Sequence, residues 1–312
     1  MLILPKHGFA ASTEPIHKVE LDAICDWVEA SLAFDRSDAI SGSDIVDVLC
    51  EEEIYDSQSF AWEMIDRTLS ELNRRKACMS VAVPFTVKNR KVVKTDSWRK
   101  YPAYAFCLAL SCAKWYPEWA SGFDGNYTLQ GQLFEQMAAE ALRTLLPDWR
   151  VEVTGWSPKH AKKIKQVVVD VAAIIREPVG ELNPWVSKDA NEAGLDIVCC
   201  RLFSDARPGL PTIFAQCASG KHHEHKLGTP NMKEWGRLIR FTAASPQRSF
   251  ITPYVYTDDE FMRVSNKLDG LLLDRVRLLS AGSKSPAWLS SGLGKELRAW
   301  ISPRIAELEK AI

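Results

Sequence analysis

Two apolar runs of strand length constrain this chain more than any other feature. They read Gly194-Leu195-Asp196-Ile197-Val198-Cys199 and Pro211-Thr212-Ile213-Phe214-Ala215-Gln216-Cys217. Neither alternates apolar with polar residues, so both sides of each strand need cover. A small sheet with helices packed on it supplies that cover. In the first run Leu195, Ile197 and Cys199 share one side, and Asp196, Val198 and Cys200 the other. A carboxylate in such a strand is costly unless it meets a metal, a cation or hydrogen-bond donors. The connection from Ser204 to Leu210 contains Pro208-Gly209 and is short, which makes the two strands hairpin neighbours. Asp196 and Gln216 then stand at adjoining strand ends.

The pattern on either side predicts a mixed α/β chain. Residues 17–76 read as helical, with Val19, Leu21, Ile24, Trp27, Val28 and Leu32 at helical spacing. A break at Ser41-Gly42-Ser43 precedes a second helix, and a third runs from Ser59 to Arg75. Met79, Val81, Val83, Phe85 and Val87 alternate, and Asn89-Arg90 turns the chain toward Val92-Val93, which predicts a hairpin. Tyr104 to Trp115 is a helix with few charges, expected to be buried. The Gly- and Asn-containing stretch 121–126 is the candidate boundary. Beyond it the order is a helix (131–146), a strand (149–156), a helix (about 160–176) and the two apolar strands. A short helix near Trp235, a strand (250–256), a long helix (258–279) and a closing helix (294–310) follow. The expected division is a helical region with a short hairpin over 1–122 and an α/β domain with C-terminal helices over 123–312.

Composition sets limits on function. A net charge of -1 removes bulk basicity, so any nucleic-acid surface must be local. No run is long and apolar enough for a membrane helix, and the first residues lack the basic and apolar regions of a signal peptide. The eight cysteines form no C-x-x-C pair and mostly lie in apolar runs. Free thiols in a reducing, cytoplasmic setting are the expectation.

Chemistry concentrates between residues 135 and 226. On the helix from Gly131, Glu135 sits at the edge of the stripe made by Leu133, Phe134, Met137, Ala138, Ala141 and Leu142. It can reach a cleft at the end of the sheet, or remain an ordinary surface acid. Asp196 can hold a cation or pair with Lys188 or Arg201. Gln216 can offer an amide oxygen to a hard cation or bond a loop. Lys221 and Lys226 follow the small residues Ala218-Ser219-Gly220, and either ammonium can stabilise charge on a phosphate. His222, His223 and His225 with Cys217 suggest zinc, but a second ligand pair at structural-site spacing is missing. Lys159, Lys162, Lys163 and Lys165 form a candidate basic wall. Arg74-Arg75, Trp98-Arg99-Lys100 and Tyr101 form another, or a solvated edge.

A helix acid, a strand Asp, and a second strand carrying an acid or amide with a nearby lysine, in αβββαβ order, resemble the PD-(D/E)XK nuclease superfamily over residues 126–260. This chain departs from the motif in lacking Pro before the Asp, in Gln for the usual acid, and in a displaced lysine. The resemblance implies a restriction-endonuclease-like domain in which Glu135, Asp196 and Gln216 hold Mg2+ (or Mn2+) and Lys226 or Lys221 assists. It implies DNA as substrate, with RNA as the alternative, and a restriction or anti-phage role. A protein partner in such a system, or self-association, would accompany that role. A degenerate nuclease fold that only binds or scaffolds is the rival expectation.

Overall fold

The structure, a computed structural model, describes residues 1–5, 9, 19–35, 37–79, 82–116, 127–154, 164–180, 182, 194–220 and 222–310. They fall into two compact units. One comprises residues 1–125, 253–257 and 275–312, and the other 126–252 and 258–274. The first break lies between residues 125 and 126. The last segment does not follow the expected division, because residues 275–312 group with the first unit rather than with the sheet of the second.

In the first unit, α1 (Leu21–Phe34), α2 (Gly42–Glu51) and α3 (Gln58–Met79) form where the periodicity predicts them. The serine-glycine break is a capping box. Ser41 Oγ accepts from the Asp44 N–H at 3.2 Å, and Asp44 Oδ2 accepts from the Ser41 N–H at 2.8 Å. The predicted hairpin is β2 (Phe85–Lys88) and β3 (Lys91–Lys94), turned by Asn89 and Arg90 at φ 49° and 57°. It begins later than the alternation suggests, because α3 continues through Met79. A three-residue strand not anticipated from the pattern, β1 (Ala39–Ser41), pairs antiparallel with β3. The buried helix is α4 (Pro102–Trp115), with Pro102 at its first position, where no N–H is needed. The chain returns to this unit as α9 (Arg275–Leu279), α10 (Ala281–Lys284) and α11 (Ser291–Lys310). α11 packs on α4, with the Phe106 and Trp300 rings edge-to-face at 4.9 Å.

A buried ionic cluster ties these segments together. Arg75 Nη1 of α3 donates to Asp26 Oδ1 at 2.8 Å and to Glu29 Oε1 at 2.7 Å, both on α1. Arg275 Nη2 of α9 also donates to Asp26 Oδ1, and Ser111 of α4 donates to Asp26 Oδ2. Tyr104 Oη donates to Glu29 Oε2 at 2.7 Å. Both guanidiniums are fully buried. Glu71 Oε1 also accepts from Arg75 Nε at 3.0 Å, so three acids, Asp26, Glu29 and Glu71, face the two buried guanidiniums, and this pairing is what makes burial of the charges tolerable. Arg75 is therefore a core residue, and the Arg74-Arg75 pair is no phosphate-facing wall. Arg74 itself pairs with Glu71 at 2.7 Å.

The second unit is built on a five-stranded sheet in the order β4-β5-β6-β7-β8. Its strands are β4 (Arg150–Val153), β5 (Ile197–Cys200), β6 (Thr212–Cys217), β7 (Gln247–Ile251) and β8 (Leu271–Leu273). The first three pair antiparallel and the last two add in parallel. β5 and β6 are the adjoining hairpin expected from the two apolar runs, with Ile197 opposite Ala215. The long helix expected over 258–279 is three elements: α8 (Asp258–Leu268), the edge strand β8, and α9. Asp269 at φ 50° ends α8, and Gly270 passes so near the Arg248 carbonyl that a Cβ there would stand 2.4 Å from its oxygen.

Helices cover both sides of this sheet. Val167, Val168, Val171 and Ile175 of α6 (Ile164–Ile175) and Trp235 of α7 (Met232–Leu238) pack with Val198, Cys200 and Phe214. The Phe214 and Trp235 rings meet at 5.2 Å. α5 (Tyr127–Leu145) packs against β4 and β6. No helix among the described residues is long and apolar enough to cross a membrane. All eight cysteines are free thiols.

Candidate functional site

The adjoining ends of β5 and β6 hold the site residues predicted for them. Asp196 is 5 % exposed and Gln216 3 %. Asp196 enters the sheet through its backbone, donating to the Ala215 carbonyl at 2.9 Å and accepting from the Thr154 N–H at 2.9 Å. Thr154 Oγ1 also donates to the Leu195 carbonyl at 2.6 Å, which pins the start of β5 to the end of β4. The Asp196 carboxylate accepts two bonds on Oδ2, one from the Cys217 N–H at 2.6 Å and one from Gln216 Nε2. Burial of the acid is thus compensated by donors, as the strand pattern requires.

Gln216 is held on every polar atom. Nε2 faces Asp196 and the Cys217 carbonyl at 3.0 Å, and two acceptors fix the nitrogen on that side. Its Oε1 lies 3.1 Å from Thr229 Oγ1, which also reaches the Lys226 carbonyl at 2.6 Å. Gly194 closes the site from behind. It has φ 66°, and a Cβ there would fall 2.6 Å from Thr229 Cβ and 3.0 Å from Gln216 Oε1. Thr229 is not apparent as a site residue in the sequence, and Gly194 was not assigned as one. Thr229 lies 13 residues from Gln216 in a loop, whereas the glycine just before the strand was a readable cue.

Glu135 and Lys226 are near enough to Cys217 for their charges to bear on its thiol. The Cys217 thiol is pushed well above its ordinary value, first by burial and then by the charges of Asp196 and Glu135, against the opposing field of Lys226. All three charges therefore act on one buried atom. α5 is tied to the segment after β6 one turn before Glu135, where Gln130 Nε2 donates to the Ser219 carbonyl and hydroxyl at 3.3 Å. Glu135 is half-buried and leans toward Gly131, whose Cβ position is 3.8 Å from Oε1. Lys226 is exposed at the end of a 3-10 turn, His223–Lys226. Lys221, Lys188, Lys159, Lys162 and Lys163 lie outside the described residues. Lys165 is exposed on α6.

The comparisons with protein-family models, curated proteins and solved structures find no match. What the site can do rests on its own chemistry.

Among the described residues no group of three or more His, Cys, Asp or Glu is arranged to hold a metal. For the zinc alternative, which the ligand spacing disfavours, the histidines diverge. The 3-10 turn sends His223 inward, 6.5 Å from the Phe250 ring, while the exposed His222 and His225 stack on each other at 5.7 Å. The Mg2+ or Mn2+ expectation involves two carboxylates and an amide, a different donor set. Such a cation takes oxygen ligands. Asp196 carries them at the start of β5, and Glu135 carries them on α5, which packs against the flanking strands β4 and β6. Gln216 presents nitrogen toward Asp196, so its oxygen would come round only by a half-turn of the amide. That turn breaks the bonds to Asp196, Cys217 and Thr229.

Proposed function

We propose that the second unit is a metal-dependent nuclease that hydrolyses DNA phosphodiester bonds, in the manner the PD-(D/E)XK resemblance implies. The observation that carries this reading is the buried Asp196–Gln216 pair at adjoining strand ends, with Glu135 and Lys226 acting on the thiol beside it. The element order supports it as well, since α5, β4, β5, β6, α7 and β7 run in αβββαβ sequence with α6 inserted. A divalent cation, when bound, supplies Lewis-acid polarisation of a phosphoryl oxygen and a more acidic water. Glu135 and Asp196 would provide its carboxylate oxygens and Gln216, after a half-turn of its amide, its amide oxygen. Lys226, at the surface of the same site, offers its ammonium to the developing charge on the phosphate. Lys221 is the other candidate for that task. A restriction or anti-phage role in the cytoplasm, with a partner protein or a second copy, belongs to the same proposal.

Plasmid nicking tests it. With Mg2+ or Mn2+, supercoiled DNA should be relaxed by the wild type, and Lys226→Ala should lose about 10²-fold or more in rate, as loss of a transition-state donor does. Wild-type rate in Lys226→Ala, with loss in Lys221→Ala, moves the role to Lys221.

One observation favours a second reading, in which the fold is a degenerate nuclease that binds nucleic acid or scaffolds a complex. Gln216 turns its amide nitrogen to Asp196 and closes the hydrogen bonds of the pair without a metal. Calorimetric titration with Mn2+ separates the two. Binding by the wild type that disappears in Asp196→Asn supports the enzyme, and identical absence of binding in both supports the scaffold.

A further inference from the structure

The first unit contains a cavity of about 600 Å³ that the nuclease reading does not use. That volume lies in the range of small-molecule sites, roughly 300–1,000 Å³. Its lining includes three aromatic rings, Tyr101, Tyr104 and Trp288, of which Tyr104 is held by Glu29, and two cations, Lys100 and Arg298, and no Asp or Glu. Arg298 is fixed by one bond, from Nη1 to the Arg99 carbonyl at 3.2 Å. Asp96 steadies the Lys100 ammonium at 2.8 Å from outside the lining. Gly282 lets the Trp288 indole lie against α10, since a Cβ there would sit 3.5 Å from Nε1 and 3.2 Å from Ala82 Cβ. Two long helices also begin at the cavity. α4 starts there with no side-chain cap, and α11 starts behind Ser290, which caps Leu293 at 3.3 Å. Their dipoles add to the positive field of the two side chains.

We propose that this cavity binds a phosphorylated ring compound, of which a nucleoside monophosphate is the simplest. Arg298 and Lys100 take the phosphate, the first as a planar fork and the second as a point charge. Tyr101 and Trp288 take the ring by stacking. Arg298, with Lys100 exchanging Asp96 for the ligand, matches a phosphate better than a single carboxylate. One half-open cavity of this size, rather than a row of cations, fits a single nucleotide and not a strand. The proposal is independent of the chemistry assigned to Asp196.

Calorimetry on the full chain tests it, with AMP, adenosine, inorganic phosphate and a short thymidine oligonucleotide as probes. AMP should bind more tightly than adenosine or phosphate alone. Arg298→Ala and Trp288→Ala should each weaken it about ten-fold or more. Lys100→Ala changes a side chain that is 70 % exposed, so it leaves the fold intact, and it should weaken AMP about three-fold. Lys295→Ala, on α11 outside the lining, should change nothing. No AMP binding at about 5 mM overturns the proposal. So does an affinity unchanged in Lys100→Ala and Trp288→Ala, phosphate binding as tightly as AMP, or the oligonucleotide binding where AMP does not.

Discussion

Asp26 shows how far a single residue's environment can depart from its sequence context. Burial alone would raise its carboxyl, but the guanidiniums of Arg275 and Arg75 and the Ser111 hydroxyl outweigh burial and hold it below the ordinary 3.8. A depressed folded-state value contributes stability that is complete above the unfolded value and is lost as pH falls through the folded one. Urea midpoints should therefore be flat from neutral pH to about 5 and fall below 4, and Asp26→Asn should flatten that acid limb. Arg275→Ala leaves buried carboxylates short of a cation and should cost about 3–5 kcal/mol at neutral pH, read from the same denaturation curves. A cost under about 1 kcal/mol would mean that the cluster does not hold the returning segment. Thiols give a second check at this scale. Burial pushes Cys107 and Cys199 up to about 12, and Cys25 and Cys217 are raised well above the ordinary value. Only Cys78 is exposed and only Cys50 half-exposed. A thiol reagent on the native protein should label Cys78 quickly and Cys50 slowly, and all eight only after unfolding. Fast native labelling of Cys217 would contradict the closed strand end.

At the scale of elements, β5 and β6 were readable because an apolar run without alternation has few other solutions, and the Pro-Gly connection fixes their pairing. The capping serine and the Asn-Arg turn were readable for similar local reasons. β8 was not, because Leu271, Leu272 and Leu273 continue the apolar spacing of Phe261, Val264 and Leu268. What breaks the helix is a backbone constraint at Asp269 and Gly270 that only the neighbouring strand reveals. Gly270→Ala would drive a Cβ into the Arg248 carbonyl and should destabilise by about 1–3 kcal/mol. Gly228→Ala, with nothing within 4 Å of its Cβ position, should stay within about 0.5 kcal/mol. Equal melting temperatures for the two variants would argue against the β7–β8 pairing. The candidate site divides in the same way. Asp196 and Gln216 follow from strand pattern and hairpin register, whereas Thr229 depends on a loop's path. The ionic cluster was illegible too, since Asp26 and Glu29 resemble ordinary helix charges and their partners lie 49 and 249 residues away.

For the molecule as a whole, the chain builds one unit, leaves it to form the five-stranded sheet, and returns to complete the first with its last helices. Overall charge gives no general attraction to nucleic acid, at -1, so under the proposed function affinity for DNA would come from local cations and should fall steeply with salt. Cleavage and binding are then separable. Asp196→Asn keeps an oxygen for the Cys217 N–H and removes the charge a divalent cation needs, while leaving surface lysines and arginines untouched. The most direct measurement is nicking of supercoiled DNA with Mg2+ or Mn2+, run beside a binding assay on the same preparations. The account predicts cleavage by the wild type, loss of about 10²-fold or more in Asp196→Asn, and DNA affinity unchanged within about two-fold. Cleavage by Asp196→Asn at the wild-type rate, or no cleavage of DNA or RNA by the wild type under any of these conditions, would contradict it.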